Sequence, residues 1–235
     1  MITSQSSFNN LTAILFVMND ICNDVEDEFN TWYETQHVPE RLAIDGFLSA
    51  SRWHTSSRSQ AYMATYRCSG TDTLEQPAYL ERLENPTEWT RRMMPQFKNM
   101  VRSVCHETWA EGTDQGTHAI AIRCAPHSGK KDLAREFLIT AMAERIRTHK
   151  TIARVALWEA AEGSVSQASP EETLRGERDT RVTWVVFIQT DALTNPSVQL
   201  NMSTWLDSPE FESLFRLEGC ADYQRLSQHT AQSKL

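Results

Sequence analysis

Apolar residues recur along this chain with two periods, and the switching between them predicts its elements. Residues 11–18, Leu-Thr-Ala-Ile-Leu-Phe-Val-Met, form a nearly unbroken apolar run of strand length. Residues 25–42 switch to a helical period: Phe29, Tyr33 and His37 fall every fourth residue on one face, with Trp32 and Gln36 on the adjacent row. Residues 47–54 and 61–68 return to strand patterns, bounded by Gly46, a Ser-rich turn at 55–59 and Ser69-Gly70. A helical region over 73–100, broken by Pro86 and Pro95, and a strand over 101–109 complete the order βαββαβ.

The second half repeats that order. A strand is predicted over 119–124, then a helix over 131–148 with Leu133, Phe137, Leu138, Ala141 and Met142 facing inward, then strands over 152–158 and 181–189. Asn85-Pro86-Thr87-Glu88-Trp89 is echoed by Asp207-Ser208-Pro209-Glu210-Phe211, each read as a helix start with Ser or Asn before Pro and an acid in the first turn. A duplication follows, with units at 1–112 and 113–235. Strands such as Tyr62-Met63-Ala64-Thr65-Tyr66 are apolar on both faces, so each sheet needs helices on one side and a second cover on the other. The polar, aperiodic stretch 162–177 reads as a long exposed hairpin loop, a length that sometimes forms a lid.

Composition narrows the partners. At 235 residues and a formal charge of −8, with acids and bases mixed along the chain and no basic block, nucleic acid is not an expected partner. The five cysteines (Cys22, Cys68, Cys105, Cys124 and Cys220) are scattered, with no CxxC pair, which suits reduced thiols in the cytoplasm. No apolar stretch approaches the roughly twenty residues that cross a bilayer, and the first residues lack a leader pattern, so a membrane is not expected either. There is no HxH, HExxH, Gly-rich phosphate loop or GxSxG elbow, and chemistry without a metal or cofactor is the expectation.

The densest chemistry lies at 28–42, where an indole, a phenol, an imidazole and a guanidinium share four helical turns: Trp32, Tyr33, His37 and Arg41. Pro39 is expected to break the helix just beyond His37 and leave the ring at a helix end facing a cavity. The run Trp32-Tyr33-xxx-His37-Val38-Pro39-Glu40-Arg41-Leu42, followed by Ile44-Asp45-Gly46-Phe47, resembles the signature of EthD-like proteins of the dimeric α+β barrel superfamily. The resemblance implies an α+β fold of two tandem ferredoxin-like units whose antiparallel sheets pack as an intramolecular barrel. Such a chain is a pseudo-dimer by itself, and a further homodimer is left open.

The second-half helix has nothing like this motif, so one pocket is expected, in the first unit. His37, Tyr33 and Arg41 form the candidate catalytic set, and Phe29, Trp32, Arg52, His54, Tyr66 and His106 are candidates for contacting substrate. A neutral imidazole walled by aromatics can move a proton, while an arginine fork can hold a carboxylate or enolate oxygen. The leading expectation is a cofactor-independent lyase or isomerase acting on a small, oxygenated, apolar or aromatic-derived molecule; lactones, muconates and polyketides enter through the resemblance. Two alternatives stand beside it. One is an oxidoreductase, cofactor-free or haem-dependent with His149 as the suspected ligand, and the other is a non-catalytic protein that binds a small molecule.

Overall fold

In the computed structural model, which describes residues 11–56, 59–163, 170–191 and 195–232, the first apolar run becomes strand β1, Ala13–Ile21. Its residues are buried on both faces: Ala13, Leu15 and Val17 join one core cluster, while Ile14, Phe16 and Met18 are as fully enclosed on the other side. The remaining strands of the first repeat are β2 (Phe47–His54), β3 (Tyr62–Cys68) and β4 (Phe97–Gly112). β3 lies between β1 and β2, β4 pairs with β1, and all pairs are antiparallel. The helical region expected over 73–100 ends earlier, at Gln96. It comprises a 3-10 turn, α3 (Pro77–Glu84), α4 (Glu88–Met93) and a second 3-10 turn, because Pro77, Pro86 and Pro95 each interrupt the amide ladder. Thr87 rather than Asn85 caps α4, its side chain accepting from Thr90 N–H.

The second repeat has the same order: β5 (His118–Pro126), β6 (Ile152–Ala160), β7 (Trp184–Thr190) and β8 (Phe215–Thr230). Here β7 lies between β5 and β6, and β8 pairs with β5, again antiparallel. Both sheets therefore follow one strand order, fourth–first–third–second, the ferredoxin-like pattern of a βαββαβ unit. Followed from one hydrogen-bonded neighbour to the next, the eight strands run β1-β3-β2-β8-β5-β7-β6-β4 as a closed barrel. The helix α5 spans Lys131–Thr148 as expected, but Leu133 points outward at 61 % exposure. Ala134, Leu138 and Met142, four residues apart, take the buried line instead, and Leu133 stands about 100° around the helix from it. Ser208 caps the helix Pro209–Leu214 with Pro209 at its first position, as the sequence grammar predicts.

The contacts divide the chain into two compact units. One comprises Met1–His106, Ala161–Arg181 and Leu226–Leu235, and the other Glu107–Ala160 and Val182–Arg225. The stretch expected to be an exposed loop is thus part of the first unit. Residues 164–169 lie outside the described residues, but Pro170–Arg175 forms a helix, α6, whose Glu171 and Glu172 are buried. The loop expectation fails because the acids of this polar segment meet buried arginines. Beyond α6, Thr180 N–H donates to Met100 O and Arg102 N–H to Thr180 O, which staples the segment beside β4. Among the described residues no helix is long and apolar enough to cross a membrane.

Candidate active site

The helix that carries the aromatic cluster does not stop at Pro39. It runs as α1 (Glu26–Trp32), a π-helical turn over Tyr33–His37 and α2 (Val38–Leu42). Proline has no N–H to donate, and the chain adapts before reaching it: Val38 N–H donates to Tyr33 O, five residues back. Residues four apart drift by about 40° per step around an ordinary α-helix. The wider π turn offsets that drift, so Tyr33, His37 and Arg41 present side chains to one cavity. The expected helix break is therefore corrected to a widened turn inside a continuous helix.

That cavity, about 20 Å³, lies within the first unit. Its floor is the sheet, where Leu15 of β1 faces Tyr66 of β3 and Val17 faces Arg102 of β4. The helical wall supplies Tyr33, His37 and Arg41, the α3–α4 region and the turn after it supply Tyr79 and Met94, the start of β4 supplies Phe97, and α6 closes the cavity with Glu171 and Arg175. Two buried polar atoms on these walls have no hydrogen-bond partner, His37 Nδ1 and Arg175 Nε, and the Tyr66 phenol beside them interacts with the Tyr33 phenol. Buried polar groups are normally paired, and an unpaired one costs about 1–3 kcal/mol, so their convergence on one cavity marks a place for a polar guest.

The electrostatics are set by arginines. Arg41 Nη2 donates to Glu171 Oε1 at 3.0 Å, with its guanidinium 5.2 Å from the centre of the Tyr79 ring. Burial pulls the Arg41 pKa down, but Glu171 and Tyr79 more than offset this and the net shift is upward. Arg102 Nη2 donates to Tyr79 Oη at 2.9 Å. Burial, and then the charges of Arg41 and Arg52, hold the His37 imidazole well below its usual pKa, so it is neutral at pH 7. Burial pushes the Tyr66 phenol well above its ordinary value, and the Tyr33 phenol is raised for the same reason while Tyr66 and Arg52 restrain it. A neutral imidazole facing fixed cations can accept a proton from a guest whose resulting anion the arginines stabilise.

Of the residues singled out from sequence, His37, Tyr33, Arg41 and Tyr66 meet at the cavity, and the others sit behind it or apart. Trp32 is buried beneath His37, ring centres 4.5 Å apart, and its indole N–H reaches Thr90 Oγ1 at 3.4 Å. Phe29 packs on the far side of Tyr33 at 5.2 Å. Arg52 lies over the Tyr33 ring at 4.3 Å, donating to Glu34 Oε1 at 2.6 Å and Asn30 Oδ1 at 2.7 Å, so it orients Tyr33 without reaching the cavity. His54 packs against Tyr62 at the end of β2, and His106 sits on β4 opposite Ala13; neither lines the cavity. Sequence reasoning missed Tyr79, Arg102, Glu171 and Arg175. A helix-start signal, Pro170 followed by two acids, was available for Glu171, in the same form as Ser208-Pro209-Glu210.

No family profile matches the chain, and no curated protein matches its sequence. Solved structures do match its fold along nearly the whole length. An anthrone oxidase-like protein aligns with a TM-score of 0.62 at 11 % identity, covering 96 % of this chain and 95 % of its own. Chlorite dismutase from Candidatus Nitrospira defluvii gives 0.58 at 11 %, covering 92 % and 91 %. A Fusobacterium nucleatum protein provisionally named a monooxygenase gives 0.56 at 10 %, covering 94 % of each. The chain has the fold of the dimeric α+β barrel proteins. Identities this low establish fold alone. They nevertheless correct the lyase or isomerase expectation, because the neighbours bear the names of redox proteins.

Chlorite dismutase raises the question of haem, and the residues present do not fit one. The His37 ring is packed between Trp32 and Tyr33, at 4.5 and 4.9 Å, beside a cavity of about 20 Å³. His149, the suspected ligand, is half-buried at the end of α5 in the other unit, with its backbone N–H on Arg145 O.

Proposed function

We propose that the chain is a cofactor-free oxidoreductase that oxidises a small, electron-rich anthrone- or phenol-type molecule with dioxygen in the cavity beside His37. The observation that carries the reading is the unpaired polar atoms His37 Nδ1 and Arg175 Nε at one buried cavity, lined also by the Tyr33 and Tyr66 phenols and faced by Arg41. The names of the structural neighbours, an anthrone oxidase-like protein and a monooxygenase, favour oxidation over isomerisation. His37 takes the acidic proton of the substrate, from a hydroxyl or from carbon next to a carbonyl, and Arg41 steadies the anion that forms. That anion is electron-rich enough to reduce dioxygen without a metal. For a CH2 centre the balance is CH2 + O2 → C=O + H2O: carbon loses two hydrogens and gains one oxygen, and the second oxygen leaves as water. Leu15, Val17, Phe97 and Met94 form the apolar wall along which a ring system lies. The Trp32-Tyr33-xxx-His37-Val38-Pro39 run resembles the EthD-like signature, which supports a reading within that group, and the free thiols suit a cytoplasmic protein.

The test is oxygen uptake by the purified chain with anthrone and with naphthols, with and without a chelator. His37→Asn is expected to lower turnover on the order of 10² to 10⁴-fold while the melting temperature holds. No uptake with any such substrate, or equal rates in the two proteins, would overturn the reading.

A further inference from the structure

A cavity of about 20 Å³ holds about one water molecule, so any organic substrate must move a wall to enter. Three walls are fixed: the floor is a hydrogen-bonded sheet, and the α1–α2 and α3–α4 walls are built into the unit's apolar core. The fourth, α6, is six residues long. Its inner side carries Glu171 and Arg175 into the cavity, while Pro170, Thr173 and Leu174 line an open groove of about 430 Å³ with Leu83, Pro86 and Arg91. There is room behind it.

The ion pairs of this segment are unevenly distributed. Arg175–Asp179 at 2.5 Å, Arg181–Glu172 at 2.7 Å and Arg181–Asp179 at 3.2 Å all lie within residues 172–181, where Arg181 is held on β4 by donating to Arg102 O, so these pairs persist while α6 pivots about that end. Arg41–Glu171, at 3.0 Å, is the pair that ties α6 to the helix across the cavity. An arginine has five donors in a planar fork, and the hydrogen bond recorded for Arg41 uses one of them, Nη2. Three guanidiniums, Arg41, Arg102 and Arg175, thus line the cavity against a single carboxylate.

We propose that Glu171 stands in for the substrate's own anionic oxygen: the substrate is a planar molecule bearing a carboxylate or phenolate, which takes Arg41 from Glu171 as α6 moves outward. This rests on the site proposed above and adds the charge of its substrate. The exchange replaces one charge-assisted bond by another on the same guanidinium, so entry does not leave Arg41 uncompensated. Bidentate engagement, which Glu171 does not make, favours the incoming group.

The experiment is calorimetric titration of the full chain with 1-hydroxy-2-naphthoate, which is anionic, and with 1-naphthol, which is neutral at pH 7. Wild type is expected to prefer the anion. Glu171→Gln, which removes the internal competitor, should tighten the anion roughly 10- to 100-fold and leave 1-naphthol within about twofold. Equal tightening of both ligands, no tightening, or no binding of the anion to either protein would overturn the proposal. Should Glu171→Gln not fold, hydrogen exchange on wild type decides: amides of 171–175 must exchange faster with the anion and not with 1-naphthol, and unchanged exchange refutes the displacement. Neither readout needs oxygen. Charge-selective binding without oxygen uptake would sink the oxidase reading alone, and His37-dependent uptake without charge selectivity would sink this one.

Discussion

Breaking the Arg41–Glu171 pair from either side is predicted to cost as much as removing both partners. The side chains are 4 % and 10 % exposed and meet at 3.0 Å, so each variant leaves a charge in a poor solvent. Orphaning a buried charge typically costs 3–5 kcal/mol. The lower end applies here, about 3 kcal/mol for Glu171→Gln, because Arg41 keeps the Tyr79 ring at 5.2 Å, a contact worth about 1 kcal/mol. Arg41→Met should cost a similar amount by stranding the carboxylate. The double variant carries no buried charge at this pair and should also cost about 3 kcal/mol, rather than the roughly 6 of additive effects, a coupling near the top of the range seen for neighbouring residues. Urea unfolding of the four proteins gives the cycle, with each change read from the midpoint at a common slope. The coupling should persist in 1 M NaCl, since an enclosed pair is screened little. Additivity within about 0.5 kcal/mol would refute the buried pair, and with it the argument that Glu171 occupies Arg41 at rest.

Two further outcomes follow from groups at and beside the cavity. Because burial and then Arg41 and Arg52 depress the His37 pKa, the unfolded chain binds a proton near pH 6.5 that the folded chain refuses; the stability is present above that pH and is lost as pH falls toward the folded value, at up to about 1.4 kcal/mol per pH unit. His37→Asn should flatten that slope between pH 7.5 and 5.5 in denaturant titrations, and an unchanged slope would show that His37 titrates normally. Gly46, at the turn from α2 into β2, has φ +92°, and a Cβ there would lie 2.5 Å from Thr73 Oγ1; Gly46→Ala should cost about 1–3 kcal/mol in urea unfolding, and a neutral result would contradict the left-handed turn.

What the sequence discloses and what it conceals divide along physical lines. The four-residue spacing of Phe29, Tyr33 and His37 was legible because a helix turns that spacing into one face, and the repeated βαββαβ order because strand and helix periods differ. Pro39 misled because the rule that proline ends helices ignores a π turn upstream that absorbs the missing donor. Glu171 offered a helix-start signal and nothing more: α6 is too short to show a period, and the arginine that pairs with its acid is 130 residues away in the chain. Arg102 belongs to a strand whose alternate residues, including Val101, Ser103 and Cys105, are buried, so its partly buried side chain reads as ordinary outward polarity until Tyr79 is seen to receive it.

The two repeats share a fold and differ in what fills it. In the first unit the central strands meet helices through Leu15 opposite Tyr66, and Val17 opposite Arg102, leaving polar atoms around a cavity. In the second, Ile120 stands opposite Ile188 and Ile122 opposite Val186, and α5 presents Ala134, Leu138 and Met142 to an apolar cluster. Aliphatic pairs pack to crystal-like density, so at these positions the second unit is held by packing. The connector between β6 and β7 then breaks the symmetry further. Its helix α6 belongs to the first unit, where its Glu171 carboxylate pairs with Arg41. The candidate site described above therefore rests on particular residues: a phenol and a guanidinium on the first sheet where the second has aliphatics, and α6 closing over them.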